Sequence, residues 1–361
     1  MALTQDGALA ALRKVMDPEL RRDIVSLGMA KEVTVDGSRV SVEVELTTPA
    51  CPLRDTIAKD VEAALKGAGA SSVELKFSAR VRSAPGATQS QLTPGVKNIV
   101  LVGAGKGGVG KSTVTINLAL SLAKMGAAVG VLDADIYGPS LPILTGVEEK
   151  PSSKDGKRLE PIEAHGLKLM SIGFLVDPDQ AMIWRGPMVT GALLQLMRDV
   201  NWGELDYLLL DLPPGTGDVP LTLAQNVRAA GVVLVSTPQD VALADVIRAK
   251  LMFDKVGIPV LGIVENMSSF VCPHCRKETN IFDHGGARAA ADRMGMRFLG
   301  EIPLDLAVRE GGDRGMPVVE GLPDGPQASA FRHVAQEVAG AVSVQVMKAP
   351  RLPVIGAQPR A

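Results

Sequence analysis

Runs of apolar residues recur along the middle and later chain, over 99–102, 128–132, 207–210, 232–235, 259–264 and, with one acid inside it, 298–303. Uninterrupted runs of this length fit strands buried on both faces of a parallel sheet, which need crossover segments between them. The crossovers show the other period. Val114, Leu118, Leu122 and Met125 recur at helical spacing after the first run, and Gly126 stops them. A second helix is predicted over 241–256 and a last one over 327–347, where Phe331, Val334, Val338, Ala341 and Val342 form one stripe. The face opposite that stripe lacks Lys and Arg enrichment, so the stripe reads as docked on a core and not on lipid.

The first part of the chain has a different pattern. Helical spacing over 8–15 is broken at Asp17-Pro18, residues 40–46 alternate as a half-buried strand, 54–65 reads as a helix, and 73–77 as a strand. This predicts a small α+β domain over 1–84. Residues 85–95 are poor in apolar side chains and rich in turn formers, as a linker is. The expected fold is therefore α/β, a mostly parallel sheet flanked by helices over 96–346, preceded by the small α+β domain. A Pro-rich tail over 347–361 closes the chain.

Candidate chemistry stands at the ends of the apolar runs. After the first comes Gly103-Ala-Gly-Lys-Gly-Gly-Val-Gly-Lys-Ser-Thr113, containing Gly105-x-x-x-x-Gly110-Lys111-Ser112, the phosphate-binding loop pattern. Gly105, Gly107, Gly108 and Gly110 let backbone N–H groups, that of Val109 among them, converge on a polyphosphate. Lys111 reaches the outer oxygens, Ser112 holds Mg²⁺, and Thr113 stands in the first turn of a helix whose dipole favours an anion. The second run ends in Asp133-Ala-Asp135, at the strand end where open α/β sheets bind ligands. These acids are candidates to orient a water or touch a metal's waters, the alternative being two solvated loop acids. The third run ends in Asp211, in the form of a Walker B strand holding the Mg²⁺ shell. Pro213, Pro214, Gly215 and Gly217 follow, a loop suited to switching when a γ-phosphate is lost.

Composition changes the picture in three places. A net charge of -2 gives no basic surface for nucleic acid. No apolar stretch reaches membrane-spanning length and the first ten residues lack a signal-peptide pattern, so a cytoplasmic protein with no membrane attachment is expected. Three cysteines cannot form a disulfide framework, so each needs its own account. Cys51, in a loop before the second helix, is either a functional thiol or a buried one. Cys272-Pro-His-Cys275 offers two thiols to one metal, but a closed soft-metal site wants about four ligands. Within one chain His274 or His284 would complete a zinc site. A thioredoxin-like redox pair is another reading, although the motif opens no helix after a strand.

Lys106 follows the first glycine of the loop and has no partner there. The stretch Gly105-Lys-Gly-Gly-Val-Gly-Lys-Ser112 resembles the deviant Walker A loop of the MinD/ParA/nitrogenase iron-protein class of P-loop NTPases. In that class this lysine reaches the nucleotide of a second subunit, which implies a homodimer with ATP between the chains. The Asn-Lys-x-Asp sequence of guanine-specific proteins is absent, so the resemblance favours adenine, with Asn266 contacting the base and Pro303 lining it. Asp133-Ala-Asp-Ile-Tyr-Gly-Pro-Ser140, Ile183-Trp-Arg-Gly-Pro187, Asn266-Met-Ser-Ser269 and Cys272-Pro-His-Cys275 closely resemble the Mrp/ApbC iron-sulfur cluster carrier family. Asp17-Pro-Glu-Leu20, Ile24-Val-Ser-Leu-Gly28 and Thr48-Pro-Ala-Cys51-Pro52 look like the small domain of iron-sulfur assembly factors.

The resemblance implies an ATPase using ATP and Mg²⁺, with Lys106, Lys111, Asp133 and Asp135 acting in hydrolysis. It implies that Cys272 and Cys275 from each of two subunits hold a [4Fe-4S] cluster at the dimer interface. The implied partners are an iron-sulfur scaffold and apo-protein acceptors. Cys51 lies outside that motif and is not assigned. The competing functions are a positioning ATPase of the MinD/ParA type without a cluster, and an ATP-dependent reductase that keeps its cluster.

Overall fold

The alternation over 40–46 becomes the middle strand of a three-stranded sheet in the computed structural model, which describes residues 3–84, 92–154, 156–176 and 186–348. Most of the expected linker, the stretch Ile183-Trp184-Arg185 and the tail from 349 onward lie outside the described residues. Helix α1 (Gln5–Leu12) is capped by the Thr4 hydroxyl, which accepts from the Gly7 N–H at 3.1 Å. A short antiparallel pair, β1 (Met16–Asp17) and β2 (Arg22–Asp23), follows. Strand β3 (Ala30–Asp36) then pairs antiparallel with β4 (Arg39–Leu46), and β4 pairs parallel with β5 (Ser72–Ala79) across helix α2 (Arg54–Gly67). Val40, Val42, Val44 and Leu46 are buried with Leu12, Ile57, Val61 and Leu65. Each such fully buried aliphatic side chain contributes about 1.5–3 kcal/mol.

Among the described residues the apolar runs build one nine-stranded sheet. In chain order its elements are β6 (Val96–Ala104), α3 (Lys111–Lys124), β7 (Val129–Asp133), α4 (Leu141–Thr145), β8 (Ile162–Ala164), β9 (Leu167–Ser171), α5 (Gly186–Asp199), β10 (Leu205–Asp211) and α6 (Asp218–Asn226). Then come β11 (Ala229–Ser236), α7 (Asp240–Lys255), β12 (Val260–Val271), β13 (Glu278–Thr279), α8 (Gly286–Met294), β14 (Phe298–Leu304), α9 (Leu306–Asp313), α10 (Val318–Gly321) and α11 (Pro326–Lys348). The strands lie in the order β14-β12-β11-β6-β10-β7-β9-β8, with β13 antiparallel against the far end of β12. Only β8 and β13 run against their neighbours.

The unbroken runs are explained by their two buried faces. Val100 and Val102 of β6 pack in a core with Val114 and Leu118 of α3 and Phe331 and Val338 of α11. Ile99 and Leu101 pack in a second core on the other face, with Leu193 of α5, Val246 of α7 and Ala290 of α8. All five members of the predicted stripe on α11 are buried, as a docked helix requires. Residues 162–171, where no strand is predicted from the sequence, contribute β8 and β9, which extend the sheet beyond β7. Their period was hard to read because each is only three to five residues long.

The small sheet rests against the end of the large one from which its central strands β6 and β10 start. The Tyr207 hydroxyl donates to Thr48 Oγ1 at 3.0 Å, a buried bond, and Asn98 Nδ2 donates to the Arg82 carbonyl at 2.9 Å. Arg297 joins Glu19 at 2.7 Å.

Candidate functional site

Strands β6, β7 and β10 end side by side, and each delivers part of the site. The register aligns Asp211 with Val102 on one side and with Asp133 on the other. Beyond β6 the chain turns through Gly108 (φ 80) and Gly110 (φ 79) into α3. Both values lie in the left-handed region, where a side chain costs about 1–2 kcal/mol. Gly105 is required for another reason, since a Cβ there would overlap the Asp245 backbone of α7.

Lys111 and Asp211 are both buried, and Lys111 Nζ lies 2.6 Å from Asp211 Oδ1. Lys111 Nζ also donates to Ser112 Oγ at 3.2 Å. The Thr115 hydroxyl, one turn along α3, lies 2.9 Å from Asp211 Oδ1 and 2.9 Å from the Lys111 carbonyl. In this arrangement Asp211, expected to hold the Mg²⁺ shell, is the partner of Lys111, expected to reach a phosphate. Removing either charge leaves the other buried and alone, at a cost of roughly 3–5 kcal/mol.

Asp133 is almost wholly buried and fixed by four donors. Its Oδ1 accepts from the Asp135 N–H at 3.1 Å, and its Oδ2 from Ser140 N–H at 3.0 Å, Leu141 N–H at 3.2 Å and Ser171 Oγ at 3.2 Å. Burial, reinforced by the Asp211 charge on the next strand, pushes its carboxyl up to about 7. Burial also raises Asp135, which is less enclosed. Lys106 is half-buried, and none of the ion pairs among the described residues includes it.

Asn266 reaches the phosphate loop from β12, its Nδ2 donating to the Val109 carbonyl at 2.8 Å. Beside it a cavity of about 240 Å³ is lined by Gly110, Thr113, Asn266, Met267 and Pro303. Thus Asn266 and Pro303, predicted to contact a base, share one concave surface next to the loop. Sequence reading missed Thr115 and Ser171. Thr115 was detectable as the residue four after Lys111 on the same helix face, whereas Ser171 ends a strand that was not foreseen.

Strand β12 continues to Val271, and Cys272 and Cys275 follow on an exposed turn closed by Arg276 N–H to the Cys272 carbonyl at 2.9 Å. Both thiols are free. Backbone N–H groups of Cys275 and His274, with the Cys275 thiol, hydrogen-bond Cys272 and lower its pKa. That cradle favours a thiolate, the form that binds metal. Among the described residues the one convergent group of three ligating side chains, Glu265, His284 and Glu301, excludes both cysteines. His284 Nε2 faces Glu301 Oε2 at 3.0 Å. Among the described residues no such group gives the thiol pair a third ligand. Cys51 lies elsewhere, mostly buried, and burial raises its thiol to about 11.

Comparison with known proteins matches residues 95–339 to the family model of the NUBPL iron-transfer P-loop NTPase. Residues 5–76 match the model of an iron-sulfur cluster assembly protein. The chain is 47% identical over 351 residues to an iron-sulfur cluster carrier protein of Synechocystis sp., covering 96% of this chain and 99% of the relative. It is 50% identical over 344 residues to the protein of that name in Deinococcus radiodurans, covering 95% and 97%. A nucleotide-binding protein of Archaeoglobus fulgidus, solved in complex with ADP, superposes with a TM-score of 0.57 at 43% identity, over 65% of this chain and 92% of that one. With the phosphate loop, the three strand-end acids and the exposed thiol pair on one framework, the chain belongs to the iron-sulfur cluster carrier family of P-loop NTPases.

Proposed function

We propose that this protein is a cytoplasmic, homodimeric ATPase that receives a labile [4Fe-4S] cluster from a scaffold and passes it to apo-proteins. The single observation that carries the reading is the double role of β12. Through Asn266 this strand hydrogen-bonds the phosphate loop, and it runs on directly into the turn bearing Cys272 and Cys275. A change in the loop on nucleotide binding therefore has a covalent path of a few residues to the thiols.

In this reading Lys111 leaves Asp211 for the β- and γ-phosphates, and Asp211 and Ser112 hold the Mg²⁺ shell. Asp133 and Asp135 orient the attacking water or sense its product, and the adenine occupies the cavity by Asn266 and Pro303. Lys106 reaches the nucleotide of the partner subunit. Two thiolates from each subunit complete the four-sulfur set that one chain lacks. A cluster held between subunits by only four thiolates on surface turns is easily released, which suits delivery.

The test is anaerobic reconstitution with iron and sulfide, followed by iron and acid-labile sulfide analysis per dimer with and without ATP. About four irons per dimer are expected, lost in Cys272→Ala and changed by ATP. A monomeric product, or equal iron in Cys272→Ala, overturns the bridging assignment.

A further inference from the structure

Apart from the phosphate loop and the thiol pair, three ligating side chains converge towards the β14 edge of the sheet. Glu265 on β12 and Glu301 on β14 are cross-strand partners, and His284 comes from the turn before α8. The ligand atoms of the three lie within 4.8 Å of one another. Glu265 is fully buried, while His284 and Glu301 each keep 42% of their side-chain exposure, so the group opens to solvent on one side.

Like charges directly opposite on neighbouring strands repel. None of the ion pairs among the described residues gives either glutamate a Lys or Arg, and His284 alone faces Glu301. The Glu265 oxygens accept from Gly285 N–H at 2.9 Å and Ala287 N–H at 2.7 Å. Each bond leaves its oxygen a second lone pair, and together they fix the carboxylate, as outer hydrogen bonds fix metal ligands. The turn carrying His284 is itself held, its N–H donating to Asp283 Oδ1 at 2.8 Å.

We propose that Glu265, His284 and Glu301 bind one divalent first-row transition-metal ion of the Mn²⁺, Fe²⁺ or Zn²⁺ class, at a site separate from Cys272 and Cys275. One imidazole with two carboxylates is a donor set these ions accept, whereas Mg²⁺ prefers oxygen ligands and water. The 3.0 Å between His284 Nε2 and Glu301 Oε2 suits adjacent ligands about 2.1 Å from a shared ion. Such an ion neutralises the paired carboxylates and lies one residue from Asn266.

The site is tested by titrating Mn²⁺ into the nucleotide-free full-length protein carrying Cys272→Ser and Cys275→Ser, with free Mn²⁺ read by its EPR signal. Saturable uptake of about one ion per chain is expected. His284→Ala and Glu301→Gln, both at exposed positions, should each weaken it by at least about tenfold, the loss that even an outer-shell change brings. Absence of saturable binding overturns the proposal. So does binding that survives both substitutions, since the ion then sits elsewhere, for instance among the strand-end aspartates.

Discussion

Asp133 is a carboxylate held close to neutrality, and the cause is visible: it is buried beside Asp211 on the adjacent strand, with only hydrogen bonds and the more distant Lys111 to offset this. Its folded value of about 7 stands above the ordinary 3.8. Between about pH 4 and 7 the folded protein therefore keeps a proton that the unfolded chain has released, so this group stabilises the nucleotide-free fold as pH falls through that window. A bound Mg²⁺ favours the carboxylate and expels the proton. Calorimetry of Mg-ATP binding in buffers of different ionisation enthalpy should show proton release that is larger at about pH 6 than at about pH 8.5. Asp133→Asn should abolish the trend. A proton count that does not grow as pH falls would exclude a protonated Asp133.

At the scale of elements, the site depends on how tightly β12 abuts the loop that opens α3. Gly110 needs its positive φ, and a Cβ on it would land on Asn266 Nδ2. Gly107 has its nearest neighbour 4.0 Å from a built Cβ, the Pro214 ring. Gly110→Ala should therefore lower stability by at least about 1–2 kcal/mol, and it should break the Asn266 to Val109 bond and weaken ATP binding. Gly107→Ala should stay within about 0.5 kcal/mol of the parent fold. Equal melting temperatures for the two variants would remove the argument. The loop, the strand ends at Asp133 and Asp211, and α11 were legible because each rests on a local pattern: glycine spacing, an apolar run closing on an acid, a helical stripe. The Lys111 to Asp211 pair was not, since its members stand a hundred positions apart and only the β6 to β10 pairing unites them. Nor was the Glu265 and Glu301 register, which depends on β14 returning beside β12.

At the scale of the molecule, the three cysteines divide between the two ends of the large sheet. The loop of Cys51 follows Thr48, which takes its hydrogen bond from Tyr207 near the start of β10, and Pro49 stands beside Gly126, beyond the end of α3. Cys272 lies past the last residue of β12, at the opposite end. At about 3.3 Å per strand residue the separation is on the order of 30 Å, so Cys51 cannot complete the ligand set of Cys272 and Cys275 in its own chain. Its chemistry points the same way, because burial, with Asp17 and Glu19 nearby, raises its thiol to about 11, whereas hydrogen bonds lower that of Cys272. Two units above the usual 9.0 reduce the thiolate fraction roughly a hundredfold near pH 8. Timed alkylation of the native protein with iodoacetamide, read by peptide mass spectrometry, should modify Cys272 at least about a hundredfold faster than Cys51. Cys51→Ser should leave reconstituted iron per dimer unchanged. Fast labelling of Cys51, or iron lost on its substitution, would mean that the small domain opens away from Tyr207 and Arg297 and takes part in holding the cluster.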